Sequence, residues 1–344
     1  MLQVISKPKV AIAFFMFAMA LIPLNDSLIK LMSDHLSIFQ VLALRAAFCV
    51  AVLALIPATY RGLAALNFTT WVKLSIRGIC LVGAMLFFFL PLAALSLAEV
   101  TAIFYTAPLI ISVMSVPVLG EKLGIYRIFA VLIGLAGVLV IVRPGGEGFQ
   151  LAYVMPILSA ISYASFQIIT RYIRNDAQLI AMVAAQNLIY LFTGIAGVAL
   201  TVAFAPTNID GDIQGFLLRG WVTPYDYEYL YFALGGLIVL NLAFASTNVY
   251  QNVEATLAAP FEYIALPMAI VWGMFLWNDW PDLQTWIGIS MIMGGGILVI
   301  YRESVKSTEI VSPVPMRSAA TNTINVDEED LLGERNYEPW PINF

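Results

Sequence analysis

The chain reads as long apolar stretches separated by short polar ones. Hydropathy marks ten runs, at roughly 10–31, 36–57, 74–95, 98–118, 125–143, 150–172, 178–205, 229–251, 255–277 and 284–301. Each comes close to the ~20 residues needed to cross a hydrocarbon core of about 30 Å. Apolar residues are continuous within a run rather than alternating. Backbone polar groups in lipid must find partners within the spanning structure, so the runs predict helices and not barrel strands. Several connections are short, which makes consecutive helices antiparallel neighbours. The long segments are 206–228 and the stretch after the last run. The first run is expected to be a span and not a cleaved leader, because it is too long for a leader's apolar region and no small-residue cleavage site follows it.

Composition supports this pattern. Of 344 residues, 61% are hydrophobic and 11% charged, against roughly a quarter charged in an ordinary soluble domain. The expected class is an all-α polytopic membrane protein whose solvent is the lipid bilayer, with no nucleic-acid partner. The net charge of -5 says little, because about half of the acids lie in the 206–228 loop or the tail. The basic residues say more. With a cytoplasmic N-terminus, 13 of the 17 fall inside, Arg77 counted among them; Lys30, Arg143 and Arg219 fall outside, and Arg45 lies within a helix. Ten spans return the C-terminus to the cytoplasm. Residues 304–344 are polar, contain VDEEDLLGER and are expected to be a disordered cytoplasmic tail. Cys49 and Cys80 sit in apolar runs and read as small buried residues, not as a disulfide framework.

Placing residues 87–119 over 242–274 sets Glu99 on Glu254 and Thr101 on Thr256. Further on, IGLAGVLVIVR falls over IMGGGILVIYR. The pattern predicts two five-helix repeats, 1–145 and 146–303. Five is odd, so the second repeat enters the membrane from the opposite side. Inverted repeats are a hallmark of alternating-access carriers, which bind substrate near the midplane between the halves.

Several motifs follow in order: LIPLNDSLIKLM, LRAAF, EVTAIFYTAPLI, GEKLG, YASFQIITR, and ATLAAPFEYIALPMAIVWG followed by NDWPD. In these the chain resembles the EamA branch of the drug/metabolite transporter superfamily, over about residues 8–303. The resemblance implies a ten-helix carrier of a bacterial inner membrane, importing or exporting a small metabolite that is amino-acid-like, nucleoside-like or vitamin-like. A homodimer is compatible with it. The 206–228 loop and the tail depart from the family pattern.

Three ionisable side chains fall inside predicted spans: Asp26, Arg45 and Glu262. Charges in the membrane usually face the bundle interior and mark a substrate or ion pathway. Glu262 shares a helix face with Ala255, Ala258, Ala265, Ala269 and Gly273, and such small residues let helices pack closely. Pro260 and Pro267 predict a bend there. Glu262 lies ~10 Å from one membrane edge and Arg45 ~13 Å from the other, by rise per residue. A pair between them would form a latch or exchange gate; an unpaired Glu262 would suit proton coupling; a pair that only fixes helix register is the plainer alternative. Asp26 has Lys30 one turn on, so an interfacial i,i+4 pair competes with a coupling or gating role.

Polar stripes at helical spacing run along Thr101, Tyr105, Pro108, Ser112 and Ser115, along Ser159, Tyr163, Gln167 and Thr170, and along Asn241, Ala245, Asn248 and Asn252. Interhelical glue explains any one of them. Together, with Phe104, Phe166, Tyr250 and Tyr263 interleaved, they predict a cavity with polar anchors and aromatic walls. The candidate substrate-binding residues are Arg45, Tyr105, Tyr163, Gln167, Asn248, Glu262 and Tyr263. RPGGEG (143–148) lacks the lysine of a phosphate loop and reads as a turn, the glycines near 134 and 294–296 read as packing positions, and His35 sits in a short outer loop.

The leading function is a secondary carrier, driven by an ion gradient or by exchange because no ATP-binding segment is visible. An intramembrane enzyme would need a nucleophile–base pair or a metal cluster, and neither HExxH nor GxSxG occurs. No cofactor or metal is expected. A channel lacks its ring of like charges, and a non-transporting receptor is the remaining alternative.

Overall fold

The computed structural model describes residues 8–121, 125–142, 151–204, 212–278, 280–295 and 298. Among these, all regular structure is helical and no strand occurs. The helices are α1 (Pro8–Met32), α2 (Ile38–Ala54), α3 (Pro57–Ala64), α4 (Phe68–Phe89), α5 (Leu97–Phe104), α6 (Ala107–Leu119), α7 (Ile125–Val142), α8 (Val154–Tyr172), α9 (Leu179–Phe204), α10 (Asp212–Leu218), α11 (Asp226–Asn252), α12 (Ala255–Ala258), α13 (Ala265–Trp277) and α14 (283–295). Five described stretches are long and apolar enough to cross a membrane: Val10–Met32, Phe68–Ala93, Leu97–Leu119, Leu179–Phe204 and Asp226–Asn252. The α2–α3 pair makes a sixth if its 97° bend is counted within one span.

Local sequence accounts for most of the starts and breaks. Ser37 and Asn67 cap α2 and α4 by accepting the backbone N–H groups of Gln40 and Thr70, which satisfies donors a helix start otherwise leaves orphaned. Ser96 and Glu99 form a reciprocal capping box on α5. Pro108 opens α6 after a break at Tyr105–Thr106. Where the ninth run is expected to bend, a 3-10 stretch, Ala259–Ile264, stands between α12 and α13. Pro260 and Pro267 supply no N–H to the helical ladder, and a proline ring also crowds the carbonyl four residues back.

Helix packing builds one continuous bundle. α2 lies on α9, α4 on α8, α1 on α11 and α13, and α6 on α8. The α2–α9 contact is close because Gly194 has no side chain: a Cβ there would stand 2.6 Å from the backbone nitrogen of Ala43. The expected use of glycine between helices extends to Gly137 of α7 and Gly288 of α14, where a Cβ on either would meet the other's carbonyl oxygen at 2.7 Å.

Three expectations change. The third span starts at Phe68, not at 74, so Arg77 lies well inside α4 and is 1% exposed instead of sitting at a loop edge. The connection after α2 holds a helix, α3, and the long 206–228 connection holds α10. RPGGEG, the tail and Gly296 lie outside the described residues.

Candidate functional site

A cavity of about 140 Å³ lies among α1, α2, α4, α8, α9 and α11. Its polar wall carries Asn25 and Asp26 from α1, Arg45 from α2 and Gln186 from α9; Phe88, Phe104 and Phe166 contribute its aromatic wall. Pro23 lies two residues before Asn25, and its carbonyl accepts the Ser27 hydroxyl at 2.7 Å. Asn25 links the two charged residues. Its Nδ2 donates to Asp26 Oδ1 at 3.0 Å and its Oδ1 accepts from Arg45 Nη1 at 3.2 Å. Arg45 Nη2 points at the thioether sulfur of Met85, 3.3 Å away. Arg45 and Asp26 are 5% and 7% exposed, both held inside the bundle.

Glu262 lies behind this cavity, fully buried in the 3-10 stretch between α12 and α13. Its Oε1 accepts from Tyr250 OH at 2.7 Å, Tyr163 OH at 3.1 Å and Gln167 Nε2 at 3.4 Å. Its Oε2 is buried without a hydrogen-bond partner. Gln167 also donates to Ser246 Oγ at 3.0 Å. Tyr163 and Ser246 line the cavity, so they form the wall between the cavity and the carboxyl group. The small-residue face of the helix packs on protein, since Ala255, Ala258, Ala265, Ala269 and Gly273 are all buried.

The structure brings some of the expected residues together and separates others. Asp26, Arg45 and Tyr163 line the cavity, and Gln167 and Glu262 connect to it through Tyr163 and Ser246. Arg45 and Glu262 do not pair. Each has neutral partners of its own: Arg45 donates to Asn25 and Met85, and Glu262 Oε1 accepts from Tyr163, Gln167 and Tyr250. Tyr105 and Tyr263 stand off the cavity, their ring centroids 6.3 Å apart, and the Tyr263 hydroxyl is buried without a partner. Asn248 turns along its own helix and accepts from Asn252 Nδ2 at 3.0 Å. His35 meets Glu228 at 3.2 Å and stacks on Tyr225 at 4.1 Å, which ties the α1–α2 turn to the start of α11.

Sequence reasoning missed Asn25, Gln186 and Tyr190 on the cavity wall. The four-residue spacing of Gln186 and Tyr190 in an otherwise apolar run was the available signal. It also missed a second buried cation. Arg77 donates to Thr170 Oγ1 at 2.7 Å, Thr247 Oγ1 at 3.0 Å and the Met182 carbonyl at 3.3 Å, with its guanidinium 4.2 Å from the Phe166 ring centroid. Phe166 also lines the cavity, so Arg77 lies beneath its floor.

This arrangement can bind and orient a small polar molecule. Among the described residues no group of three His, Cys, Asp or Glu side chains could hold a metal ion.

The family model of the EamA-like transporter family matches residues 9–143. Over those residues the chain is similar to that family. The S-adenosylmethionine uptake transporter of Rickettsia prowazekii is 26% identical over 296 residues, 85% of this chain and 92% of that one. A riboflavin transporter of Rhizobium johnstonii is 24% identical over 215 residues, 62% of this chain and 64% of that one. A solved crystal structure has 20% identity and a TM-score of 0.61, covering 89% of this chain and 99% of its own; that likeness is one of fold. With its apolar helices, the chain is a multi-pass membrane protein. The cavity draws Ile22 to Phe104 from within the matched residues and Tyr163 to Ser246 from beyond them.

Proposed function

We propose that the chain is a secondary carrier that moves a small organic metabolite across a bacterial inner membrane by alternating access, driven by an ion gradient or by exchange. The observation that carries this reading is the cavity among the helices, whose charged and polar wall is shared between the two halves of the chain. Its volume of about 140 Å³ is below the roughly 300–1,000 Å³ of sites that hold drug-sized ligands. A vitamin-sized or nucleoside-sized substrate therefore requires the cavity to widen, as a carrier's does between its two open states.

The proposed architecture is ten spans in two inverted repeats, 1–145 and 146–303, with both termini cytoplasmic. Two features favour it. In the register that sets Glu99 on Glu254, the break at 105–106 of the fourth span falls on 260–261, inside the 3-10 break of the ninth. The packing partners also exchange: α1, first of the first half, lies on α11, third of the second, while α8, first of the second half, lies on α4, third of the first. That exchange is what a two-fold relation between the halves produces.

Glu262 is the proposed coupling residue, with Asp26 and Arg45 at the cavity as binding or gating groups. The groups facing Glu262 are the hydroxyls of Tyr163 and Tyr250 and the amide of Gln167, with no opposing charge among its hydrogen bonds. Proteoliposomes containing the full chain test the reading. Labelled S-adenosylmethionine and riboflavin, the substrates named for relatives, should enter faster when the same unlabelled compound is trapped inside, which a channel does not do. Glu262→Gln is expected to abolish uptake or to flatten its dependence on pH while the protein still folds. A variant whose uptake follows the wild-type pH profile would remove Glu262 from coupling.

A further inference from the structure

The two ends of the bundle carry matching ties, away from the cavity. In the register that sets Ile38, the first residue of α2, on Leu179, the first residue of α9, Lys30 of α1 falls on Arg171 of α8. Both cations reach a main-chain carbonyl just before a broken span. Lys30 Nζ donates to the Leu95 oxygen at 3.4 Å, ahead of α5, and Arg171 Nη1 to the Gln251 oxygen at 2.9 Å, ahead of α12. These carbonyls stand one position apart when Glu99 is set on Glu254. At each end the broken span of the opposite half finishes beside the tie. α13 ends at Trp277 with Asn278 as a left-handed cap (φ 55°), and the Trp277 ring centroid lies 4.9 Å from Lys30 Nζ. α6 ends at Leu119 with Gly120 as the corresponding cap (φ 71°). The next residue, Glu121, accepts the N–H groups of Ala255 and Thr256 at 3.1 and 3.2 Å. Gly120 and Asn278 are the only left-handed residues in the described backbone. Packing matches as well, with α13 on α1 and α6 on α8.

We infer that these ties are the two gates of the transport pathway. Lys30 and Trp277 hold one end shut, Glu121 and Arg171 hold the other, and each gate opens only while its counterpart is closed. The contacts suit that task. Each gate rests on one or two hydrogen bonds or a cation–π contact, which are individually modest and so can break and re-form in every cycle. The halves meet at both ends through equivalent elements, so weakening one gate shifts the population toward the conformer open at that end. The inference rests on the carrier reading and assigns its alternation to particular residues. In the proposed topology Lys30 lies at the outer face and Arg171 at the inner.

The test places one reporter cysteine in the cavity wall, Ala84→Cys, in the full chain with Cys49 and Cys80 replaced by alanine. A small charged thiol reagent that does not cross lipid is applied to sealed right-side-out and inside-out membrane vesicles, and labelling is followed by mass. Lys30→Gln and Trp277→Leu should each raise the rate from the outer face relative to the inner by about two- to ten-fold, the shift in an equilibrium when one ordinary hydrogen bond is lost. Glu121→Ala and Arg171→Gln should shift the ratio the other way. Two variants at each end keep the comparison decisive if one of them folds poorly. A shift in the same direction from both ends, no shift from either, or a cavity closed to the reagent in every variant overturns the inference. Counterflow with an unshifted ratio removes these gates and leaves the carrier. Opposite shifts without counterflow keep the gates and remove the carrier.

Discussion

At Glu262 two tyrosine hydroxyls in nearly the same environment make opposite predictions. Tyr250 gives the carboxyl group its shortest hydrogen bond, 2.7 Å, in a site without exposure. An ordinary hydrogen bond contributes about 0.5–1.5 kcal/mol net, and Glu262 Oε1 keeps Tyr163 and Gln167 as donors when this one is removed. Tyr250→Phe is therefore expected to destabilise the protein by an amount in that range, read as a lower unfolding temperature in detergent. Tyr263, next in sequence to the acid, holds its hydroxyl buried with no partner. Tyr263→Phe removes an unpaired polar atom and should leave stability unchanged or raise it by about 1 kcal/mol. Arg77 allows a third comparison. Its three hydrogen-bond acceptors are neutral, so Thr247→Val strips a buried cation of one of them and should cost about 1.5–3 kcal/mol, measured by the same unfolding assay.

Among the elements, the contacts most sensitive to change are those where backbones approach. A methyl group on Gly194 would come within 2.6 Å of Ala43 N and 2.7 Å of its Cα. Those atoms are backbone and cannot rotate aside, so Gly194→Ala must push α2 from α9, at roughly 1–3 kcal/mol by the usual cost of overpacking. A matched change on Gly83, where the nearest atom is the Ser162 Oγ at 3.6 Å, should be tolerated; comparing the two unfolding temperatures checks the assignment. What could be read of these elements beforehand followed from period and length. The small-residue face around Glu262 was legible because five small residues recur at helical spacing, and the 3-10 break was legible from its prolines. The short helices α3 and α10 were not, since eight and seven residues carry too little periodicity to stand apart from a loop. Arg77 was misread because a charge near the edge of a hydropathy window looks like a flank. Its partners, Thr170 and Thr247, lie 93 and 170 residues away in the chain, and no local pattern announces them. The Arg45–Glu262 pairing failed for a related reason: depth in the membrane places two residues at one level but says nothing of what stands between them, here Tyr163 and Ser246.

For the whole molecule, the decisive question is whether the two halves move against each other. The bundle is tied across them at several points. Glu121 accepts the backbone N–H groups of Ala255 and Thr256 at 3.1 and 3.2 Å, which caps a helix of one half with an acid from the other. At an exposed edge, Lys73 of α4 donates to Asp176, between α8 and α9, at 2.6 Å. Ion pairs this exposed contribute about 0–1 kcal/mol, so the contact can open and close at little cost, and its partners belong to different halves. Rocking of one half about the cavity would separate them in one state and rejoin them in the other. A Lys73→Cys and Asp176→Cys double variant, built with Cys49 and Cys80 replaced by alanine, should exchange substrate in proteoliposomes while reduced. Joining the two thiols with a short bifunctional reagent should arrest exchange, and cleaving a disulfide within that reagent should restore it, while either single cysteine variant remains unaffected. Full exchange with the link in place, verified by mass, would mean that this edge stays closed throughout transport, and that the cavity opens by bending at the breaks in the fourth and ninth spans instead.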